Sequence, residues 1–304
     1  MLLAHRRVGR LGLALALGVL GICGYSGGDR SSVPAARMQG VVTLPEPESI
    51  RYGTETLQFG ILRLPSGPGP YPIAVVIHGG CWSNRFELDL MDDMSNALTE
   101  AGIATWNIEY RRTGDPGGGY PNTLTDVGMA VDKLRDLAPT KDLNLDRVIT
   151  VGHSAGGHLG VWVGARHLLP EGHPLRGSNP LPLHASVALA GIMNLAEYLN
   201  INNPCGALVD DFMGGTPAEV VDERYTLASP SELLPLGLDT TLVQGTLDNI
   251  VPPELAEHYR DDARDAGDHH VHLKKINGAN HFDVIDPTSS AWRKVKQAIL
   301  KALD

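Results

Sequence analysis

The stretch Gly152-His153-Ser154-Ala155-Gly156 constrains this chain most. The run before it, Arg147-Val148-Ile149-Thr150-Val151, is β-branched and apolar and reads as a buried strand. The run after it, residues 157–165, reads as a helix. A strand that passes into a helix through Gly-x-Ser-x-Gly lifts the serine hydroxyl to the end of a sheet. The flanking glycines are needed because a side chain there would strike the neighbouring helix and strand. With 35 Gly in 304 residues the five-residue pattern also arises by chance, so its context decides what the turn means.

The rest of the chain supplies that context. Strands are expected at residues 50–52 and 56–64 as an opening pair, then at 73–77, 103–108, 148–151, 185–190, 241–244 and 270–276. Helices are expected at 88–101, 122–138 (stopped by Pro139), 254–266 and 291–303. Such alternation predicts an α/β fold, a mostly parallel central sheet with helices on both faces. Residues 191–237 are too long for a simple crossover, rich in turns, and hold Met193, Tyr198, Phe212 and Met213. They are expected to form a short insertion over the serine's end of the sheet.

The N-terminus reads as a leader. Arg6, Arg7 and Arg10 precede an apolar stretch, and Val33-Pro34-Ala35-Ala36 offers a cleavage site, so residues 1–36 are expected to be an export signal and 37–304 a single domain. Arg6-Arg7 hints weakly at a twin-arginine signal. The uncharged stretch 11–28 falls short of the ~20 residues of a span, so no membrane span is expected after processing. Leu20-Gly21-Ile22-Cys23 resembles a lipobox, with Ile22 where a small residue is usual. A lipid anchor at Cys23 is therefore the alternative.

The net charge is −10, and the acidic excess lies beyond residue 36. An acidic globule without a basic stripe repels phosphate backbones, so no nucleic-acid partner is expected. Of the three cysteines, Cys81 and Cys205 fall in the expected mature chain. Two cysteines in a large domain do not make a disulfide scaffold, and each is expected to be a small buried apolar side chain. His269-His270-x-His272 sits on an expected strand, where alternate side chains point to opposite faces, so no metal site is expected.

A serine hydroxyl is a poor nucleophile at neutral pH. It needs a base, the base needs an orienting acid, and a developing oxyanion needs donors. Behind a strand–elbow–helix the chain order is Ser, Asp or Glu, then His. Asp248 lies in the turn leaving the strand near 244, at a carboxyl end where functional groups collect in such sheets. His281 lies in the loop after the last strand, whereas His258 and His272 fall inside expected elements and His269 directly before one. Asp283 is the rival acid but stands too near His281 in sequence to reach its inner ring nitrogen. The loop His78-Gly79-Gly80-Cys81-Trp82 directly follows an early strand. The expected oxyanion donors are the amides of Gly80, Cys81 and Ala155, with Gly79 shaping the loop.

With these residues in hand the chain resembles the α/β-hydrolases. More closely, it resembles the branch holding bacterial feruloyl and acetylxylan esterases, kynurenine formamidases and related carboxylesterases. The resemblance is carried by residues 78–82, Asn107-Ile-Glu-Tyr-Arg-Arg112, Tyr120-Pro-Asn-Thr-Leu-Thr-Asp-Val127, residues 152–157, Gly245-Thr-Leu-Asp248 with Val251-Pro252, and Ala279-Asn-His281-Phe-Asp283. Cys81 departs from it, standing where glycine is frequent. The resemblance implies Ser154 as nucleophile, His281 as base and Asp248 as its orienting acid, with no cofactor or metal. Of the remaining recurring residues, Trp82 and Tyr120 are the expected lining of a substrate pocket, and Arg112 and Asp126 are expected to pair behind the oxyanion loop.

Three functions follow as expectations. The first is an exported carboxylic-ester hydrolase acting on a small-molecule ester or acylated sugar, periplasmic or extracellular. The second is an amide hydrolase, of formamidase type or akin to prolyl oligopeptidases. The third is a non-catalytic binding protein on the same fold.

Overall fold

A computed structural model describes residues 44–220 and 223–304. The expected leader and Cys23 lie outside the described residues. The β-branched runs become strands of one eight-stranded sheet: β1 (Glu48–Arg51), β2 (Phe59–Arg63), β3 (Tyr71–Ile77), β4 (Ala104–Ile108), β5 (Leu143–His153), β6 (Ala185–Leu189), β7 (Asp239–Gly245) and β8 (Val271–Ile276). The spatial order is β1-β2-β4-β3-β5-β6-β7-β8. The opening strands run antiparallel, and every pair from β4 to β8 is parallel.

The α-helices are α1 (Asp92–Glu100), α2 (Asn122–Asp132), α3 (Leu134–Lys141), α4 (Ala155–Ala165), α5 (Leu195–Leu199), α6 (Val209–Met213), α7 (Arg224–Ala228), α8 (Pro253–Asp265) and α9 (Trp292–Lys301). The side-chain period of two along β3 splits the core. Ile73, Val75 and Ile77 pack with Leu124, Val127 and Trp162 of α2 and α4. Ala74 and Val76 pack with Met94, Leu98, Val295 and Ile299 of α1 and α9. Helices therefore cover both faces, and the central strands can be apolar throughout.

Two expectations change at element level. The helix expected over 122–138 breaks at Lys133, and its second half runs through Pro139 to Lys141. Pro139 is tolerated because it stands in the last turn of α3, which ends three residues later in the left-handed Asp142 (φ 51°). β5 starts at Leu143 rather than near 147, pairing with Tyr71 across an irregular register before the regular ladder. The insertion holds α5, α6 and α7. It packs against the loop at 80–82 through Phe212 on Trp82, and against the loop at 250 through Tyr198, whose hydroxyl donates to the Ile250 carbonyl (2.9 Å).

Candidate active site

β5 delivers Ser154 in a backbone conformation that L-residues avoid, φ 55° and ψ −120°. The turn is closed by the Ser154 amide donating to Leu189 O and by Gly157 and His158 amides donating to Ser154 O. A methyl at Gly152 would stand 2.0 Å from Gly156 O, and one at Gly156 only 2.2 Å from Ile77 O. Both motif glycines are thus imposed by backbone contact.

Asp248, in the turn after β7, is held on both oxygens. Oδ1 accepts the amides of Ile250 and Val251 (2.9 Å each), and Oδ2 accepts Gln244 Nε2 (3.0 Å) and His281 Nδ1 (2.8 Å). Burial alone would raise its carboxyl, but the His281 bond and these amides win and hold it below the usual carboxylate range. An ionised carboxylate opposite Nδ1 fixes the proton there and leaves Nε2 of His281 as the acceptor. Asp283, the rival, accepts its own loop's Asn280 amide (2.7 Å).

His281 is anchored beside the serine turn by His153, the residue before Ser154. The His153 Nε2–H donates to the His281 carbonyl (3.0 Å), and the two rings lie 4.5 Å apart. His153 is fully buried, which lowers its pKa to about 3; the neighbouring His281 adds to this. Ser154 and His281 keep only 2% and 4% of their surface exposed. Among the described residues no hydrogen bond joins the Ser154 hydroxyl to the imidazole. Such contacts commonly tighten only once substrate is bound.

The loop after β3 lies against the same turn: a Cβ on Gly79 would stand 3.0 Å from Ser154 Cβ. Gly80 (φ 107°), Cys81 (φ 55°) and Trp82 (φ 55°) take three successive left-handed conformations. Among the described residues the amides of Gly80 and Cys81, and that of Ala155 in the first turn of α4, have no acceptor within the chain. Behind this loop Glu109 is buried and accepts the Tyr110 amide (2.8 Å), His78 Nε2 (3.0 Å) and the Leu88 amide (3.1 Å). Burial pushes its carboxyl up, but these bonds prevail and lower it.

Three expectations are corrected here. Cys81 and Cys205 are joined in a disulfide, their Cα atoms 5.3 Å apart, rather than standing as separate buried thiols. Trp82, expected to line the pocket, has no exposed surface. It stacks on Phe212 (4.8 Å between rings) and donates Nε1–H to His158 Nδ1 (3.2 Å). Asp126 pairs with Arg111 rather than Arg112, through two bonds of 2.7 and 2.8 Å, while Arg112 bonds Asp115. Adjacent residues of an extended segment point opposite ways, and spacing alone does not say which one turns inward. Tyr120 is half-buried against the insertion, its amide donating to Phe212 O (2.8 Å) and Arg224 lying over its ring.

Sequence reasoning missed His153 and His158 as structural members of the site. The signal was present: both are histidines within four residues of Ser154, on elements too apolar for a charged ring. It also missed Gln244, Cys205 and Phe212, which only the folded chain brings near.

The BD-FAE family model matches residues 61–262. A kynurenine formamidase of Aspergillus versicolor is 34% identical over 141 residues, 41% of this chain. The match spans less than half, 45%, of that protein. Among solved structures, a truncated carbohydrate esterase from gut microbiota superposes with TM-score 0.72 at 20% identity, over 86% of this chain and 98% of that one. The propionate-bound esterase Est2 of Thermogutta terrifontis gives 0.66 at 17% identity, over 84% and 92%. A bifunctional GH43-CE protein of Bacteroides eggerthii gives 0.69 at 20% identity over 84% of this chain, which spans 38% of that longer protein. These likenesses show the shared fold, and the family match covers the Ser154 turn, the loop at 78–82 and Asp248. The chain belongs to the BD-FAE family, an esterase-like hydrolase family of the α/β-hydrolase fold.

Proposed function

We propose that this protein is an exported serine hydrolase that cleaves carboxylic esters through an acyl-enzyme. The observation that carries the reading is the buried Asp248–His281 pair, tied by His153 to the strained turn that bears Ser154. His281 Nε2 takes the Ser154 hydroxyl proton as Oγ attacks the ester carbonyl carbon. The carbonyl oxygen becomes an anion, met by the amides of Gly80, Cys81 and Ala155. Collapse of the intermediate expels the alcohol, which receives the proton back from His281. Water, deprotonated by the same nitrogen, then releases the acid and restores Ser154. The carbohydrate esterase among its structural neighbours supports a small-molecule ester or acylated sugar as substrate.

The Cys81–Cys205 disulfide supports export, since such bonds persist in oxidising compartments. No described helix is long and apolar enough to cross a membrane. A fluorophosphonate should label the wild type, and Ser154→Ala should lose both label and ester turnover. Turnover that survives in that variant overturns the reading. The formamidase match favours a second reading, amide hydrolysis. A side-by-side kcat/KM comparison of short acyl esters with N-formyl anilides separates the two.

A further inference from the structure

The loop that offers the oxyanion donors is held from one side by the sheet and from the other by the insertion. On the sheet side it is held by hydrogen bonds: the Tyr110 hydroxyl donates to His78 O (2.9 Å), the Thr113 amide donates to Trp82 O (2.7 Å) and the Asn84 amide to Thr113 O (3.0 Å), while the Ser83 amide closes a turn onto Gly80 O (2.9 Å). On the insertion side there are three attachments to two successive residues. Cys81 is bonded covalently to Cys205. The Trp82 ring stacks on Phe212 at an interplanar angle of 9°. The Trp82 indole N–H reaches His158 Nδ1, and His158 Nε2–H reaches Ala228 O (2.8 Å), so one buried imidazole bridges loop and insertion. That bridge works only with a neutral ring that accepts on one nitrogen and donates from the other. Full burial keeps the ring neutral, with a pKa of about 4.

Cys81 and Trp82 both sit at φ 55°, where a non-glycine residue does not rest unless its surroundings hold it. The bond to Cys205 is the covalent restraint on that conformation of Cys81. We propose that the Cys81–Cys205 disulfide, backed by the His158 bridge, is a positioning clamp through which the insertion holds the Cys81 amide on the developing oxyanion. Cys205 and His158 then govern turnover without touching substrate. The inference rests on the ester-hydrolase reading of the site and deepens it.

The test compares oxidised wild type, wild type reduced with a phosphine and then reoxidised, Cys205→Ser, His158→Leu and His158→Gln. Each is assayed for kcat and KM on 4-nitrophenyl acetate and for the rate of fluorophosphonate labelling, with near-UV circular dichroism and thiol counting beside them. The loss of a single oxyanion donor costs 10²–10³ in kcat elsewhere, so a displaced one should lower kcat by about tenfold or more. KM should stay within about threefold, labelling should slow in parallel, and reoxidation should restore the rate. His158→Gln, which can both accept and donate, should recover activity that His158→Leu loses. Unchanged kcat in fully reduced protein and in Cys205→Ser overturns the clamp. So does an activity loss that merely follows loss of the near-UV signal, since the disulfide would then be only a staple. If the oxidised wild type does not turn over, or Ser154→Ala still does, the ester-hydrolase reading has failed instead.

Discussion

Ser154 is the residue on which local cost and the proposed chemistry meet. A non-glycine backbone at φ 55° costs on the order of 1–3 kcal/mol and persists only when its surroundings over-determine it. Here Leu189 O, Gly157 N and His158 N lock the turn. The Asp248 carboxylate is over-determined too, because all four of its contacts are donors. Asp248→Asn therefore cannot satisfy them. With its single oxygen kept on the Ile250 and Val251 amides, its NH₂ faces Nδ1 and drives the His281 proton to Nε2, the wrong nitrogen. We expect kcat to fall by roughly 10²–10⁴ at neutral pH with KM little changed, read from steady-state ester hydrolysis. A fall of less than tenfold would remove Asp248 from the relay.

Between elements, buried polar joints fix how the loops sit behind the site. Asp126 on α2 has no exposed surface, and it accepts the Arg111 guanidinium twice, the Arg111 amide once and Gln58 once, joining α2 to the segments after β1 and β4. Asp126→Ala leaves that guanidinium without its anion and should cost about 3–5 kcal/mol in urea unfolding. A loss below about 1 kcal/mol would mean that water replaces the carboxylate at no cost. The elements themselves were legible where one periodicity dominates: 73–77 is apolar at every position and became the central strand. The elbow was legible because glycine is forced there by backbone contact. Ser154, Asp248 and His281 could be nominated because chain order and strand ends limit the choice. What stayed hidden depends on three-dimensional meeting. Cys81 and Cys205 are separated by 124 residues, and nothing local marks them as partners. Trp82 read as pocket lining because its burial is set by Phe212, inside a segment whose path the pattern did not define.

At the scale of the whole molecule, two neutral histidines buried next to Ser154 make stability depend on acid. Burial holds His153 at about 3 and His158 at about 4, both below the ordinary value of 6.5. In the unfolded chain each takes a proton near pH 6.5, while in the fold each stays neutral until far lower. The unfolded state therefore binds more protons between these limits, and stability rises with pH across that window. It is fully present above about pH 6.5 and drains as pH falls toward 4, at up to about 1.4 kcal/mol per pH unit for each histidine. Asp248 and Glu109, both held below their ordinary values, push the same way at still lower pH. His258 and His270, raised by Glu197 and Asp239, push the other way, but both are exposed and screened. Urea unfolding at pH 7.0 and 5.0 should thus show a marked loss of stability at the lower pH. His158→Gln should remove one proton from that dependence while keeping the bridge to Trp82 and Ala228. An unfolding free energy that is flat between these pH values would mean that at least one of the two rings is already charged in the fold. If that ring were His158, it would have no lone pair for the Trp82 indole, and the bridge between the loop at 80–82 and the insertion would be broken.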